Sequence, residues 1–155
     1  MLKIYNIKDK IEYIKEIAIL TQEEWGEKGL STDEFDNKVN KKIEKIKSNL
    51  DNKLYCKLIL LEGDKLVGFI SMFPYDGEER KELTPWYATM YVKKEYRGKG
   101  LSKILNDAII NEAKRLGYDK VYLKSELVNY YEKFGAIYIE DLKSGEKLYY
   151  IDCIV

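Results

Sequence analysis

The sequence predicts an α/β (α+β) fold in which a single mixed, mostly antiparallel central sheet is flanked by helices. Apolar residues recur at helical spacing in the first third of the chain and again after residue 101, whereas the stretches between them are strand-like. The 155 residues, 45% of them hydrophobic, suffice for a single core. We therefore expect residues 1–155 to form one domain.

Two helices are predicted first. The apolar positions of the first helix follow helical spacing at Ile11, Ile14, Ile17 and Leu20. Gly26 and Gly29 end this helix. Residues 31–34, "STDE", form a capping box that opens a second helix, whose apolar stripe runs from Phe35 to Leu50.

Three strands are predicted next. Residues 54–62 and 66–73 are apolar runs joined at "GDK", which indicates a hairpin. The third strand alternates, and alternation places successive side chains on opposite faces of a sheet. One face is predicted to hold Trp86, Ala88, Met90 and Val92, and the other face Tyr87, Thr89 and Tyr91.

The second half of the chain predicts a helix, a strand, a short helix and a closing hairpin. The long helix starts at Leu101 and is closed by Gly117, and the short helix is stopped by Gly135. The remaining elements, in chain order, are the strand 120–124, the short helix 126–134 and the hairpin strands 136–141 and 147–155.

Composition excludes several classes of protein. The formal net charge is zero and Lys and Glu are interleaved, which argues against nucleic acid as a partner. The start of the sequence carries charges throughout, so it predicts neither a signal peptide nor a membrane partner. The absence of histidine rules out Ser-His-Asp and Cys-His catalysis and removes the commonest zinc ligand. Cys56 and Cys153 fit no metal motif and favour a reduced, cytoplasmic setting.

The turn before the Leu101 helix carries the one local excess of charge. Lys93 to Lys103 includes five basic residues and a single acid, Glu95. Gly98 and Gly100 let the backbone approach a ligand, and the free amides of a helix N-terminus bind anions. The turn therefore predicts a phosphate or pyrophosphate site, although a glycine turn with merely solvated basic residues fits the same pattern. It matches neither the P-loop nor the dinucleotide fingerprint.

Longer motifs strengthen the first interpretation. "MYVKKEYRGKGLSKIL" resembles the acetyl-CoA-binding segment of the GNAT superfamily of N-acetyltransferases, whose signature is [Q/R]-x-x-G-x-[G/A] after a strand. Here the signature runs from Glu95 to Gly100, with Glu in place of Gln or Arg. "TPWYATMYV" resembles the family's fourth strand, and "LVNYYEKFGAIYI" resembles its late "YEKxGF" segment, with Ala136 where an aromatic residue is usual. The resemblance, from about Lys65 to Tyr150, implies a GNAT-like acyl-CoA N-acyltransferase fold.

The resemblance also implies acetyl-CoA (coenzyme A) as the cofactor. Its pyrophosphate would bind the amides of residues 97–102, and its pantetheine arm would pair with the backbone of residues 90–92. An N–H near Tyr91 or Val92 would meet the acetyl carbonyl and stabilise an oxyanion. The cofactor residues implied in this way are Met90, Tyr91, Val92, Arg97, Gly98, Lys99, Gly100, Leu101 and Ser102.

For catalysis, the resemblance implies Tyr131, the tyrosine of the "YEKxG" segment, as the acid that protonates the leaving thiolate. The alternative is that Tyr131 packs in an apolar helical face with its aromatic neighbours. We predict Glu82 as the base, with Glu24 and Glu126 as rivals and an ordered water chain as another route. Each of these carboxylates also fits a solvated surface charge.

The expected reaction is direct acetyl transfer to a primary amine. Residues 75–83, "YDGEERKEL", contain four acids and two bases, which suits a small cationic amine or a peptide amine. Trp25 and Trp86 could flank a cation, or both could belong to the core. The alternative function is a non-catalytic acyl-CoA-binding sensor or scaffold. The final "YYIDCIV" either adds a strand to a partner in a homodimer or completes its own sheet.

Overall fold

The computed structural model describes residues 1–153, and within them one mixed sheet carries helices on both faces. The strands are β1 (Leu2–Asn6), β2 (Cys56–Glu62), β3 (Lys65–Phe73), β4 (Trp86–Val92), β5 (Lys120–Ser125), β6 (Ile137–Asp141) and β7 (Lys147–Asp152). The helices are α1 (Ile14–Trp25), α2 (Thr32–Ser48) and α3 (Leu101–Arg115). The strand order is β1-β2-β3-β4-β5-β7-β6, and β4 and β5 are the parallel pair. The predicted fold class is confirmed.

The N-terminal segment ahead of α1 differs from the prediction. Leu2–Asn6 forms an edge strand paired with β2, where the sequence analysis predicted no strand. Its five residues are too few for a periodic signal, and pairing with the buried β2 decides their conformation. The capping box before α2 is confirmed, because the Glu34 amide donates to Ser31 Oγ at 3.2 Å and the Ser31 amide to Glu34 Oε1 at 3.1 Å.

Two apolar layers hold the helices on the sheet. On one face, α3 packs through Leu101, Leu105 and Ile109 against Leu58 and Leu60. On the other face, α1 and α2 pack against alternate residues of the same strands: Ile14, Ile17 and Ile46 meet Ile59, Leu61 and Phe69. Because side chains alternate along β2, one apolar strand supplies both layers.

A β-bulge at Thr89 breaks the alternation predicted for β4. Ser71 pairs with Ala88 and Phe69 pairs with Tyr91, so three steps along β4 oppose two along β3. Thr89 takes the extra position in the left-handed region, with φ of 48°. Tyr87 consequently packs in the α3 layer and Tyr91 in the opposite layer. The prediction that Tyr87 and Tyr91 share a face is wrong.

Strands β4 and β5 pair at one position, Trp86 with Tyr122. Beyond this pair, no further strand pairing joins β4 to β5 within residues 1–153, so the backbone of Met90, Tyr91 and Val92 borders a gap. The gap lies beside the residues to which the resemblance assigned the pantetheine arm.

The segment after β5 is less helical than predicted. A single 3₁₀ turn, Tyr131–Phe134, replaces the helix predicted over 126–134. The amide of Leu127 donates to Ser125 Oγ at 3.0 Å, and Asn129 has a positive φ of 59°. These local bonds compete with a helical path. Gly135, with φ of 91°, ends the turn as predicted.

The closing hairpin forms, and β7 lies inside the sheet between β5 and β6. The described part of "YYIDCIV" therefore completes its own sheet, whereas residues 154 and 155 lie outside the described range. Dimerisation stays a prediction. The exposed edge beside β7 is β6.

Gly68 in β3 is predicted to be required for close strand packing. A Cβ at this position would lie 2.5 Å from the Tyr91 carbonyl oxygen and 3.1 Å from Leu105 Cδ1. We expect Gly68→Ala to lower the free energy of unfolding by about 1–3 kcal/mol, because backbone must shift to admit the methyl group. Thermal unfolding measures this. Gly63→Asn, in an open left-handed turn with φ of 62°, is the control and should change little. Equal unfolding temperatures for the two variants would contradict the packing argument.

Candidate active site

Two grooves meet at the gap between β4 and β5. The first, here called the turn groove, has a volume of about 650 Å³ and follows the turn before α3. The second, here called the acidic groove, has a volume of about 510 Å³ and contains Asp76, Glu126 and Glu146. Both linings include Trp25, Met90, Leu127 and Tyr131. A ligand in one groove therefore comes close to a ligand in the other at these residues.

The turn groove gathers the residues that the sequence singled out for a cofactor. All of them except Lys99 line it: Met90, Tyr91, Val92, Arg97, Gly98, Gly100, Leu101 and Ser102. The Lys99 ammonium lies 5.7 Å from the centre of the Tyr96 ring instead. These groups come from three elements, because β4 ends where the turn begins and α3 starts where it ends.

The start of α3 is arranged for an anion. Gly98 and Gly100 have φ of 79° and 76°, and a Cβ on either would meet no atom within 4 Å. Gly100 caps the helix without a side-chain hydrogen bond, and the first turn carries no acid. The first amides of α3 therefore keep their donors for a ligand, and the helix dipole favours a negative one.

Alongside Lys133, Arg97 brings a positive charge to the turn groove. Its Nε donates to the Val92 carbonyl oxygen at 2.8 Å, and its guanidinium lies 5.6 Å from the centre of the Tyr91 ring. Two other basic residues are paired with acids, Lys93 with Glu16 and Lys103 with Asp107. Arg97 is thus fixed against the end of β4 at the mouth of the groove.

The end of β4 presents backbone donors to the gap. The Lys93 amide donates to the Val67 carbonyl oxygen of β3 at 2.8 Å. Strand amides alternate in direction, so those of Val92 and Met90 point away from β3 and toward the gap. Of the two oxyanion donors expected near Tyr91 or Val92, this geometry favours Val92.

Tyr131 lies where the two grooves meet. Its ring centre is 6.1 Å from that of Tyr87 and 4.8 Å from that of Tyr130, both edge-on. Burial, and then the neighbouring Tyr130, raise the pKa of Tyr131 above its usual 10. Its hydroxyl therefore stays protonated at neutral pH, as a proton donor requires. The aromatic packing expected as the alternative is present as well, and the acid role stays a prediction.

The structure places the predicted carboxylates and tryptophans in different surroundings. Glu82 is paired with Arg80 at 2.8 Å, lies outside both grooves and has a side chain that is 64% exposed. The hydrogen bond from Arg80 lowers the pKa of Glu82 further, so the geometry gives the Glu82 prediction no support. Glu24 lines the turn groove and Glu126 the acidic groove. Trp25 is 48% exposed between the grooves, whereas Trp86 is fully buried in the core.

A polar cluster that no sequence pattern had indicated lies beside the acidic groove. Lys57 Nζ donates to Ser71 Oγ at 2.7 Å, and Thr89 Oγ1 donates to the same oxygen at 2.6 Å. The available signal was a lysine inside the apolar run "CKLILL". Its meaning depends on the bulge that brings Thr89 alongside Ser71.

Among residues 1–153, no group of three or more histidine, cysteine, aspartate or glutamate side chains could hold a metal ion. No helix in this part of the chain is both long and apolar enough to cross a membrane.

Solved structures share the fold of this chain. The chain resembles PaiA N-acetyltransferase of Thermoplasma acidophilum, solved with coenzyme A: 17% identity, TM-score 0.67, 98% of this chain and 99% of that one. It also resembles yncA of Salmonella typhimurium, described as a putative acetyltransferase with its cofactor acetyl-CoA: 19% identity, TM-score 0.64, 98% and 94% coverage. An N-acetyltransferase of Staphylococcus aureus Mu50 gives 16% identity, TM-score 0.70 and 99% coverage of both chains. Searching curated proteins by sequence gives no match.

The family assignment rests on sequence as well as fold. The profile of the Acetyltransferase (GNAT) family matches residues 12–136. The matched range includes α1, the bulged β4, the glycine turn, α3 and the Tyr131 turn. With the groove geometry, this match establishes that the chain belongs to the GNAT family of acetyltransferases.

Proposed function

We propose that the chain, as one domain, is an acetyl-CoA-dependent N-acetyltransferase that passes the acetyl group directly to a primary amine. The observation that carries this proposal is the meeting of the two grooves at the β4–β5 gap, with Tyr131 in both linings. Each groove then serves one of the two reactants.

The turn groove fits acetyl-CoA. The uncapped start of α3 and the Arg97 guanidinium suit the pyrophosphate, because amide donors and a cation both favour an anion. The left-handed φ values of 79° and 76° favour glycine at positions 98 and 100, and the space beside both is open to a ligand. The pantetheine arm would follow the β4 backbone along Met90, Tyr91 and Val92, all of which line this groove. Bound there, acetyl-CoA supplies an acetyl group activated as a thioester.

Direct transfer is supported by where the thiols lie. Cys56 and Cys153 are both buried and line neither groove. Burial raises the pKa of Cys56 to about 12, so it is not a thiolate nucleophile at neutral pH. Two buried free thiols also agree with the predicted reducing, cytoplasmic setting.

The chain's own groups then divide the work of transfer. The Val92 amide offers a hydrogen bond where negative charge develops. The Tyr131 hydroxyl carries the proton for the departing sulfur. A lysine-like amine has a pKa of ~10.4, so a base must first remove its proton.

The acidic groove supports a cationic acceptor. Asp76, Glu126 and Glu146 face it, and among its described residues Lys124 is the opposing cation, 3.9 Å from Glu146. The excess of carboxylates attracts an ammonium group. Trp25, half-exposed between the grooves, offers an aromatic face to the same cation. We propose a small cationic amine or a peptide amine on these grounds.

The first prediction concerns the glycine turn. Gly100→Ala should weaken acetyl-CoA binding at least about tenfold from a micromolar value, because its Cβ enters the space proposed for the phosphates. Isothermal titration measures this. Gly117→Ala imposes a similar left-handed strain, φ 93° against 76°, but lies outside the turn groove. Equal losses of affinity in the two variants would attribute the effect to backbone strain and contradict the proposed site.

The second prediction concerns Tyr131. Tyr131→Phe should lower kcat about 10²-fold or more and leave the Kd for acetyl-CoA unchanged, because it removes a proton donor and keeps the ring. Tyr138→Phe, on the exposed strand β6, is the matched control. Unchanged kcat in Tyr131→Phe would refute the acid assignment. Acetyl-CoA binding by the unaltered protein without turnover of any amine would favour the sensor or scaffold instead.

The third prediction concerns the acceptor. Glu126→Gln and Glu146→Gln should each raise KM for a cationic amine several-fold, because each removes a charge that attracts the ammonium group. Thiol release across a panel of cationic, neutral and acidic amines measures this. Glu44→Gln, on the exposed face of α2, is the control. Turnover confined to neutral or acidic acceptors would contradict the proposed acceptor class.

A further inference from the structure

Lys57 is a buried lysine in the middle of the sheet. Its side chain lies on β2 with Cys56 and Leu58 as sequence neighbours, and it is 7% exposed. It takes part in none of the ion pairs found among residues 1–153. Burying a charged amine without a carboxylate is costly, so a position of this kind calls for a functional reason.

The hydrogen bonds of Lys57 lead across three neighbouring strands. Lys57 on β2 and Ser71 on β3 are register partners, with Nζ and Oγ 2.7 Å apart. Ser71, itself fully buried, is 2.6 Å from Thr89 Oγ1 on β4. The three polar groups thus form one continuous chain on the face of the sheet that α1 and α2 cover.

Thr89 connects this chain to the acceptor side of the gap. It lines the acidic groove, and it also lines a small cavity of about 130 Å³ that Lys57 borders from the other side. Its left-handed backbone, φ 48°, is unusual for a β-branched residue. Local strain of this kind collects at functional sites.

We propose that Thr89, Ser71 and Lys57 form a proton relay that removes a proton from the acceptor amine, with Lys57 as the terminal base. This inference rests on the proposed acetyltransferase function. It supplies the base for which Glu82 had been predicted.

The relay conserves protons and charge. The acceptor ammonium gives a proton to Thr89 Oγ1, Thr89 gives its own to Ser71 Oγ, and Ser71 gives its own to the lone pair of Lys57 Nζ. Hydroxyl hydrogens rotate, so each oxygen can accept one bond and donate the next. The amine gains its lone pair, and Lys57 becomes an ammonium that later returns the proton to solvent.

The surroundings of Lys57 suit a base. Burial lowers its pKa to about 8; Cys56 on its own strand opposes this change, and Lys42 and Lys45 of α2 add to it. An amine with this pKa is unprotonated in a useful fraction of molecules near neutral pH. Aromatic rings flank it, with the centres of Phe69 and Phe73 at 5.9 and 5.4 Å from Nζ.

The same pKa has a consequence for stability. Because the folded pKa lies below the usual 10.5, the unfolded chain binds more protons between about 8 and 10.5. Lys57 therefore destabilises the fold below about pH 8, and its contribution to unfolding free energy rises with pH through this window. Lys57→Met, which removes the buried charge and keeps the volume, should not unfold at a lower temperature than the unaltered protein at neutral pH.

The first test needs no substrate. Nuclear magnetic resonance of the full chain with isotope-labelled lysine follows each side-chain ammonium as pH rises, and Lys57→Met identifies the Lys57 signal. We expect one lysine signal, absent from Lys57→Met, to titrate near 8. A Lys57 signal that titrates with the exposed lysines would overturn the relay.

The second test is kinetic and uses the cationic amine with the highest turnover in the acceptor panel. Lys57→Met should lower kcat about 10²-fold or more, leave the Kd for acetyl-CoA unchanged and abolish the rise of kcat/KM through pH about 8. Thr89→Val keeps the branched shape without the hydroxyl and should lose activity similarly, whereas Thr89→Ser should restore it. Lys41→Met, an exposed lysine on α2, is the matched control.

The outcomes separate the relay from the proposed function. Turnover lost in Tyr131→Phe but retained, with its pH profile, in Lys57→Met would overturn the relay and leave the acetyltransferase standing. No turnover by the unaltered protein across the panel would overturn both. Loss in Lys57→Met and Thr89→Val, rescue by Thr89→Ser and disappearance of the pH dependence near 8 in Lys57→Met together support the relay, because a merely structural role would leave the pH profile in place.

Discussion

The bulge at Thr89 is the local constraint on which the rest of the site depends. One extra residue in β4 reverses the side-chain alternation, so Tyr87 and Tyr91 lie on opposite faces of the sheet. Tyr87 then contacts Tyr131 from the α3 side, while Tyr91 lies under Arg97 on the other side. Thr89, the bulge residue itself, brings its hydroxyl group next to Ser71. Without the bulge, these contacts could not occur together.

The separation of β4 from β5 is the second feature on which the site depends, because it leaves an opening between the two grooves. Strand pairing at Trp86 and Tyr122 holds the two strands together at one end, and Trp86 is anchored in the core by its indole N–H, which donates to the Leu83 carbonyl oxygen at 2.8 Å. Past that anchor, the backbone donors of β4 face a gap. Opposite charges then surround it, with the α3 N-terminus and Arg97 in one groove and carboxylates in the other.

The acid–base roles proposed for this chain, which has no histidine, depend on burial. Burial raises the pKa of the Tyr131 hydroxyl and lowers that of the Lys57 ammonium, so each is held in its neutral form more readily than in water. The two groups lie on different sides of the gap and suit opposite tasks. The Glu82 carboxylate is exposed instead, and the hydrogen bond from Arg80 lowers its pKa and favours its ionised form.

The sequence by itself determined the three long helices, most of the strands and the glycine turn before α3, because helical spacing, the capping box at Ser31 and the glycines at 98 and 100 act over a few residues. A motif also singled out Tyr131, whose acid role stays a prediction. Tertiary structure alone decided the edge strand Leu2–Asn6, the exposure of Glu82, and the contact of Thr89 with Ser71 and Lys57. These depend on pairing between distant strands and on a bulge that places one hydroxyl group, and no local pattern encodes either.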